Sequence, residues 1–149
     1  MNWPFLNDDL DAVATMLTNP HTVMGLADAG AHVGLIMDSS QPTFLLTHWV
    51  RDQGLLSIGE AVRSLSSQTA QVMGIAERGV LAPGAFADVN VIDLDAMGLP
   101  QPEYLHDYPT GAGRFVQRAR GYAWTLVNGE VFMEDGEHSG ALAGGMLRA

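Results

Sequence analysis

The chain has 149 residues, 47% hydrophobic and 16% charged, with 17 acidic against 7 basic side chains and a formal charge of −10. That is the balance of a folded chain long enough for one domain or two small lobes, and it argues against a nucleic-acid partner and against binding to an anionic membrane surface. All seven basic residues are Arg and Cys is absent, which rules out disulfides, thiolate catalysis and Cys-ligated zinc. No apolar run approaches the ~20 residues a membrane span needs. The start, Met1-Asn2-Trp3-Pro4, has neither a basic opening nor an apolar signal core, so a cytoplasmic protein is expected.

In chain order, Asn7 or Asp8 caps a helix running through Asn19, with Leu10, Val13, Ala14 and Leu17 at helical spacing. Asp8, Asp9 and Asp11 sit where the helix dipole favours acids, and Asn19-Pro20 ends the element. His21 to Ala27 is a short apolar run that reads as a buried strand. It stops at the small-residue loop Asp28-Ala29-Gly30-Ala31-His32. Thr43 to Gln53 reads as a helix with Phe44, Leu45, His48 and Trp49 on adjacent faces. Ser57 and Glu60 form a capping box that opens a helix through Val72, with Ala61, Val62, Leu65, Thr69 and Val72 as its inner face and Gly74 as its stop.

From Arg78 onward the pattern changes to short β-like runs punctuated by Gly and Pro. Pro83-Gly84 is a turn. Ala87 to Leu94 is a strand whose alternation breaks at Ile92 and Asp93. Residues 95–113 hold six Pro or Gly turn cues and read as a long loop. Tyr122 to Val127 and Glu130 to Glu134 flank Asn128-Gly129, the strongest short hairpin signal. The chain thus divides into an α/β segment, residues 1–76, and a β-rich segment, residues 77–149. A lone parallel strand has no sheet to join, so the first segment reads as the end of something larger.

Asp28 is the sharpest chemical feature. An Asp at the end of a buried strand, followed by small residues, stands where barrel enzymes keep their chemistry. Asp28 could hold a metal ion or take a proton from a bound water, and His32 could meet a metal or a substrate anion. Spacing alone favours an Asx turn that caps the strand end, with His32 merely solvated. Arg51 is a candidate for a substrate carboxylate on chemistry alone, because a guanidinium binds one bidentately. His48, on an apolar helix face beside Trp49, reads as a packed histidine; His106-Asp107 reads as turn chemistry and His138 as a solvated tail residue.

The stretch Gly25-Leu26-Ala27-Asp28-Ala29-Gly30-Ala31-His32 resembles the last barrel-strand motif of the amidohydrolase superfamily, most closely the N-acyl-D-amino-acid deacylases, or D-aminoacylases. The resemblance continues through Thr47-His48-Trp49-Val50-Arg51, Glu60-Ala61-Val62-Arg63, the run Glu77 to Gly84, and Ala87-Asp88-Val89. It also covers the run His106 to Ala112, Val127-Asn128-Gly129-Glu130, and Gly140 to Gly144. It implies an α/β plus β fold. This chain would supply the last strand and helices of a metal-dependent (β/α)₈ barrel, then the C-terminal part of a small β-sandwich.

The resemblance further implies that Asp28 is the general base at a zinc-activated water and touches the metal, and that His32 lies by the substrate pocket. The implied cofactor is zinc and the implied substrate a small N-acyl amino acid. The family's H-x-H motif, its later metal histidines and its bridging ligand are absent here. His21, His32, His48, His106 and His138 form no pair at ligand spacing. A zinc site needs about three protein ligands plus an open position. Two readings result. In one, the chain is the C-terminal segment of a zinc amidohydrolase that cleaves the N-acyl bond of D-amino acids, and is inactive alone. In the other it is a non-catalytic binding or structural protein derived from that fold. A homo-oligomer is expected, because apolar faces made for barrel strands favour association.

Overall fold

A computed structural model describes residues 8–147. Asn7, one of the two expected caps, lies outside the described residues, as does the Met1-Asn2-Trp3-Pro4 start. Helix α1 spans Leu10–Leu17, and its cap is Asp9 rather than Asp8. The Asp9 carboxylate accepts from the N–H groups of Asp11 at 3.0 Å and Ala12 at 3.1 Å. Those are the second and third donors of the first turn, which an N-cap carboxylate reaches and a residue one place earlier does not. The helix closes at Thr18, whose hydroxyl bonds the Ala14 carbonyl at 2.9 Å.

His21 to Ala27 is not a strand. No described strand lies beside it, so its backbone groups have no ladder to enter, and its apolar side chains are not buried. Val23 is 46% and Leu26 84% exposed.

Helix α2, Gln41–Phe44, opens with Pro42 in its first turn and runs directly into a wider π-type winding over Leu45–Asp52. There the Gln53 N–H donates five residues back to the His48 carbonyl at 2.9 Å. The segment therefore begins before Thr43 and departs from α geometry. It buries Leu45, Leu46, Thr47 and Trp49. Helix α3, Ile58–Leu65, opens with the expected capping box: Glu60 N–H donates to Ser57 Oγ at 3.2 Å and Ser57 N–H to Glu60 Oε2 at 2.8 Å.

The single helix expected through Val72 breaks at Ser66, where φ is −128° and ψ −88°, and resumes as α4, Ser67–Val72. The break turns α4 against α3, so one apolar stripe does not run the whole length. Ala61 is fully buried, but Val62 and Val72, assigned to the inner face, are exposed.

The β elements are β1 (Val89–Ile92), β2 (Glu103–Leu105), β3 (Arg114–Val116), β4 (Tyr122–Val127), β5 (Glu130–Glu134) and β6 (Glu137–His138). Four form an antiparallel sheet in the order β1-β4-β5-β6, and β2 pairs β3 in a separate ribbon. The register of β1 on β4 shifts between Val91 and Ile92. That bulge accounts for the alternation lost at Ile92. Between β4 and β5, Asn128 and Gly129 take φ values of 52° and 86°, the left-handed pair a type I′ turn requires. Residues 95–113 are not one long loop. They contain β2, a short helical turn at Pro109–Gly111, and a bridge from Gly98 to Arg120.

The core joins the two halves. Leu45, Leu46, Trp49 and Ala61 bury with Met97, and Ile92, Leu94 and Tyr122 pack against them. Burial of each large side chain contributes roughly 1.5–3 kcal/mol. Thr43 Oγ1 and Tyr122 Oη hydrogen-bond at 2.8 Å across the same boundary. Among the described residues no helix is long and apolar enough to cross a membrane.

Candidate functional site

Asp28 heads a tight turn in which the Ala31 N–H donates to the Asp28 carbonyl at 2.9 Å. One turn later the His32 carbonyl accepts from Leu35 at 2.6 Å and Ile36 at 3.0 Å. Asp28 and His32 both hold left-handed backbones, φ 53° and 47°. Such a conformation is uncommon for residues other than glycine, although Asp and His adopt it more readily than most. Backbone groups make this turn, so the Asp28 carboxylate is not consumed in an Asx turn. Asp93 shows the contrast: its Oδ1 accepts from both Asp95 and Ala96 at 3.1 Å. Among the described residues neither the Asp28 nor the His32 side chain makes a hydrogen bond, and both are exposed.

The loop leans on the β2–β3 ribbon. The Phe115 N–H donates to the Val33 carbonyl at 3.0 Å. A side-chain carbon built on Gly34 would lie 3.6 Å from the Tyr104 hydroxyl. The ribbon is itself braced. Arg114 forks onto Asp107 through Nε at 2.8 Å and Nη2 at 2.6 Å, and its guanidinium lies 5.3 Å from the centre of the Tyr108 ring. The Arg114 hydrogen bond is the main cause holding the Asp107 carboxyl below the usual range. His106 Nδ1 meets the Gly111 carbonyl at 3.0 Å. Two stretches of the resemblance, 28–32 and 106–112, thus lie to either side of one contact. Sequence reasoning missed Tyr104 and Phe115 because a three-residue strand shows no period.

Arg51 stands elsewhere. Its Nε bonds Asp52 at 2.8 Å and its Nη1 bonds the carbonyls of Met97 at 2.6 Å and Leu94 at 3.2 Å. That fork ties the Leu45–Asp52 segment to the chain after β1. His48 stacks on Phe44 at 4.8 Å and meets the Trp49 ring edge-on at 4.6 Å.

The run from Arg78 to Asp88 is structural. Arg78 pairs with Asp88 and donates to Asn128 Oδ1 at 3.1 Å, and the Asn128 N–H donates to Asp88 at 2.9 Å. The Asn128 N–H is the leading cause of the lowered Asp88 pKa, with the Arg78 guanidinium adding to it.

A cavity of about 610 Å³ opens between α1, residues 18–25 and α3, walled by Leu17, Met24 and Leu55 with Glu60 and Arg63 among its polar groups. Asp28, His32 and Arg51 do not line it. Among the described residues no three His, Asp or Glu side chains gather to hold a metal. The donor set present therefore does not fit the zinc that the resemblance implies.

A sequence profile described as "Amidohydrolase family" matches residues 3–133. The N-acyl-D-glutamate deacylase of Alcaligenes xylosoxydans xylosoxydans is 44% identical over 55 residues, 37% of this chain and 11% of that protein. The D-aminoacylase of the same organism is 32% identical over 103 residues, 69% of this chain and 19% of that protein. A solved D-aminoacylase structure concerned with its binuclear metal centre superposes with a TM-score of 0.54 at 31% identity, covering 68% of this chain and 20% of that one. Two dihydroorotases also match, at 27% and 28% identity. The chain spans about a tenth to a fifth of the length of the deacylases it resembles.

Proposed function

The chain belongs to the amidohydrolase family, and on that basis we propose that it contributes the Asp28 turn to hydrolysis of the N-acyl amide bond of D-amino acids. The observation that carries this reading is the Asp28 carboxylate itself, held on a backbone-made turn with no internal partner among the described residues. Asp28 Oδ takes a proton from the attacking water as the water oxygen bonds to the acyl carbon. It then returns that proton to the leaving nitrogen as the C–N bond breaks, giving a carboxylate and a free amino acid. His32, four residues on, lines the substrate side. Arg51 meets a substrate carboxylate only by giving up Asp52. The described residues do not assemble a metal site, so the chain is assigned a share of the active site and no turnover alone. In this reading residues 21–27, which form no strand in the chain by itself, take the place of the closing barrel strand beside an upstream barrel, followed by the helices and part of a β-sandwich.

The test mixes the chain with a polypeptide carrying the upstream part of a D-aminoacylase, plus zinc. Amine release is measured from N-acetyl-D-amino acids, N-acetyl-D-glutamate among them, and ring opening from dihydroorotate by its loss of ultraviolet absorbance. Release from the N-acyl-D-amino acids that needs both polypeptides and disappears in Asp28→Ala is expected. A silent mixture, or an Asp28→Ala variant as active as its parent, overturns the reading. Release by the chain alone overturns its inactivity.

A second reading is supported by surface area. The chain exposes 10572 Å², whereas a compact monomer of its mass exposes roughly 7,400 Å². An excess of about 3,000 Å² on one chain, or about 6,000 Å² over two copies, reaches the large end of what obligate interfaces cover. It includes Leu26, Leu35, Leu81 and Leu142, each at least 76% exposed. In this reading the chain is a homo-oligomeric binding or structural protein without catalysis. Sedimentation as a single monomeric species removes it.

A further inference from the structure

The Asp28 loop has few attachments of its own. Its internal bonds, Ala31 to Asp28 and Leu35 and Ile36 to His32, close turns and fix nothing outside them. From residue 23 to residue 36, the one main-chain hydrogen bond among the described residues that reaches another element is the Phe115 N–H to the Val33 carbonyl. Phe115 stands opposite Tyr104 in the β2–β3 register, and the two rings meet edge-on with centroids 4.9 Å apart.

The Tyr104 ring occupies a slot that two glycines make. A side-chain carbon on Gly113 would lie 2.3 Å from Tyr104 Cε1, closer than atoms can approach, so only glycine lets the ring lie there. On the other side Gly34 faces the Tyr104 hydroxyl. The phenol thus reaches from the ribbon's own backbone at Gly113 to the Asp28 loop at Gly34, where its hydroxyl is the facing atom. Beyond the ribbon, the 106–113 turn is tied by the Arg114–Asp107 fork and the His106–Gly111 bond, so the ribbon is stiffer than the loop that leans on it.

We infer that Tyr104 is a positioning residue: with Phe115 it forms a brace that sets where the Asp28–His32 turn sits. It touches no reacting group. It acts through the loop backbone, and its bearing on catalysis rests on the function proposed for Asp28. The atom that faces the loop is the hydroxyl, and the ring wedged between Gly113 and Phe115 sets where it stands, so the whole phenol carries the role.

The experiment is amide hydrogen exchange on the full chain, in the parent and in Tyr104→Ala, Tyr104→Phe and Gly113→Ala. Exchange at Phe115, Leu35 and Ile36 is expected to speed up on the order of tenfold in Tyr104→Ala and Gly113→Ala. Tyr104→Phe, which keeps the ring and loses the hydroxyl that faces Gly34, should fall between the parent and Tyr104→Ala, and the β4–β5 amides should not change. Unchanged loop exchange in Tyr104→Ala overturns the brace, as does an equal rise across β4 and β5, which would mean global destabilisation. Exchange in Tyr104→Phe as slow as the parent's, or as fast as that of Tyr104→Ala, overturns the shared role of hydroxyl and ring.

In the complemented amine-release assay, the brace requires Tyr104→Ala to lower kcat with KM held within about twofold, and Tyr104→Phe to lower it less. An equal fall in both variants, or a change in KM alone, contradicts positioning. The exchange experiment needs no turnover. Loss of the proposed function, read from Asp28→Ala, is therefore distinguishable from loss of the brace.

Discussion

The main-chain N–H of Asn128 donates to the carboxylate of Asp88 at 2.9 Å, forty residues earlier in the chain. The turn that reverses β4 into β5 is thereby fastened to the residue preceding β1. The same carboxylate receives Arg78, which also donates to Asn128, so three residues close a ring around the hairpin base.

Removing Asp88 leaves the Asn128 N–H without its acceptor and a mostly buried guanidinium with Asn128 Oδ1 alone. Asp88→Ala is expected to destabilise the chain by about 2 kcal/mol, and Asp88→Asn by less, since one acceptor oxygen remains. Urea unfolding followed by Trp fluorescence measures both. Equal loss in the two variants would show that charge, not the hydrogen bond to Asn128, dominates.

The acid limb of stability derives from the same carboxylate and from Asp107. Both are held below the ordinary carboxylate range, Asp88 first by the Asn128 N–H and Asp107 first by Arg114. A lowered folded-state pKa contributes stability that is complete above the unfolded value, about 3.9, and is lost as pH falls through the folded value. Unfolding midpoints should therefore be flat on account of these groups between pH 7 and 5 and decline below about 4. Asp88→Asn should flatten part of that decline.

Thr43 Oγ1 and Tyr122 Oη form a partly buried pair joining α2 to β4. Either Thr43→Val or Tyr122→Phe strands the other hydroxyl and should cost about 1–2 kcal/mol. The double variant should cost less than the sum of the singles, because no unpaired group remains. Strict additivity in a double-mutant cycle would show that the two hydroxyls do not depend on each other.

Ser57→Ala removes the side-chain acceptor for the Glu60 N–H and opens the capping box of α3. A loss of about 1 kcal/mol is expected. Ser57→Asp should retain most of the stability, whereas Ser57→Val should not. Thermal unfolding by circular dichroism separates them.

The features legible in the sequence were those that depend on residues a few places apart. Asn128-Gly129 specifies its turn by the backbone angles those two residues tolerate. Ser57 and Glu60 specify a helix start by side chains that reach three residues. The pairing of Tyr104 with Phe115 was not legible, because it is decided across an intervening turn and each strand has only three residues. His21 to Ala27 has the composition of a strand, but composition carries no information about whether a neighbouring edge exists. Asp28 could be picked out by its surroundings. That its carboxylate escapes the turn became visible only once the backbone was seen to close the turn itself.

The π-type winding from Leu45 to Asp52 makes chain length there as informative as residue identity. Each α-helical residue advances the helix by about 100°. Deleting one residue within this stretch would let the wide turn close to an α turn and leave its two ends facing as they do. Deleting one from the α-helical turn before it would swing Arg51 away from the Leu94 and Met97 carbonyls that now receive it. Change at this seam comes by gaining or losing a residue, and a substitution table, which compares only residues at fixed positions, has no column for it.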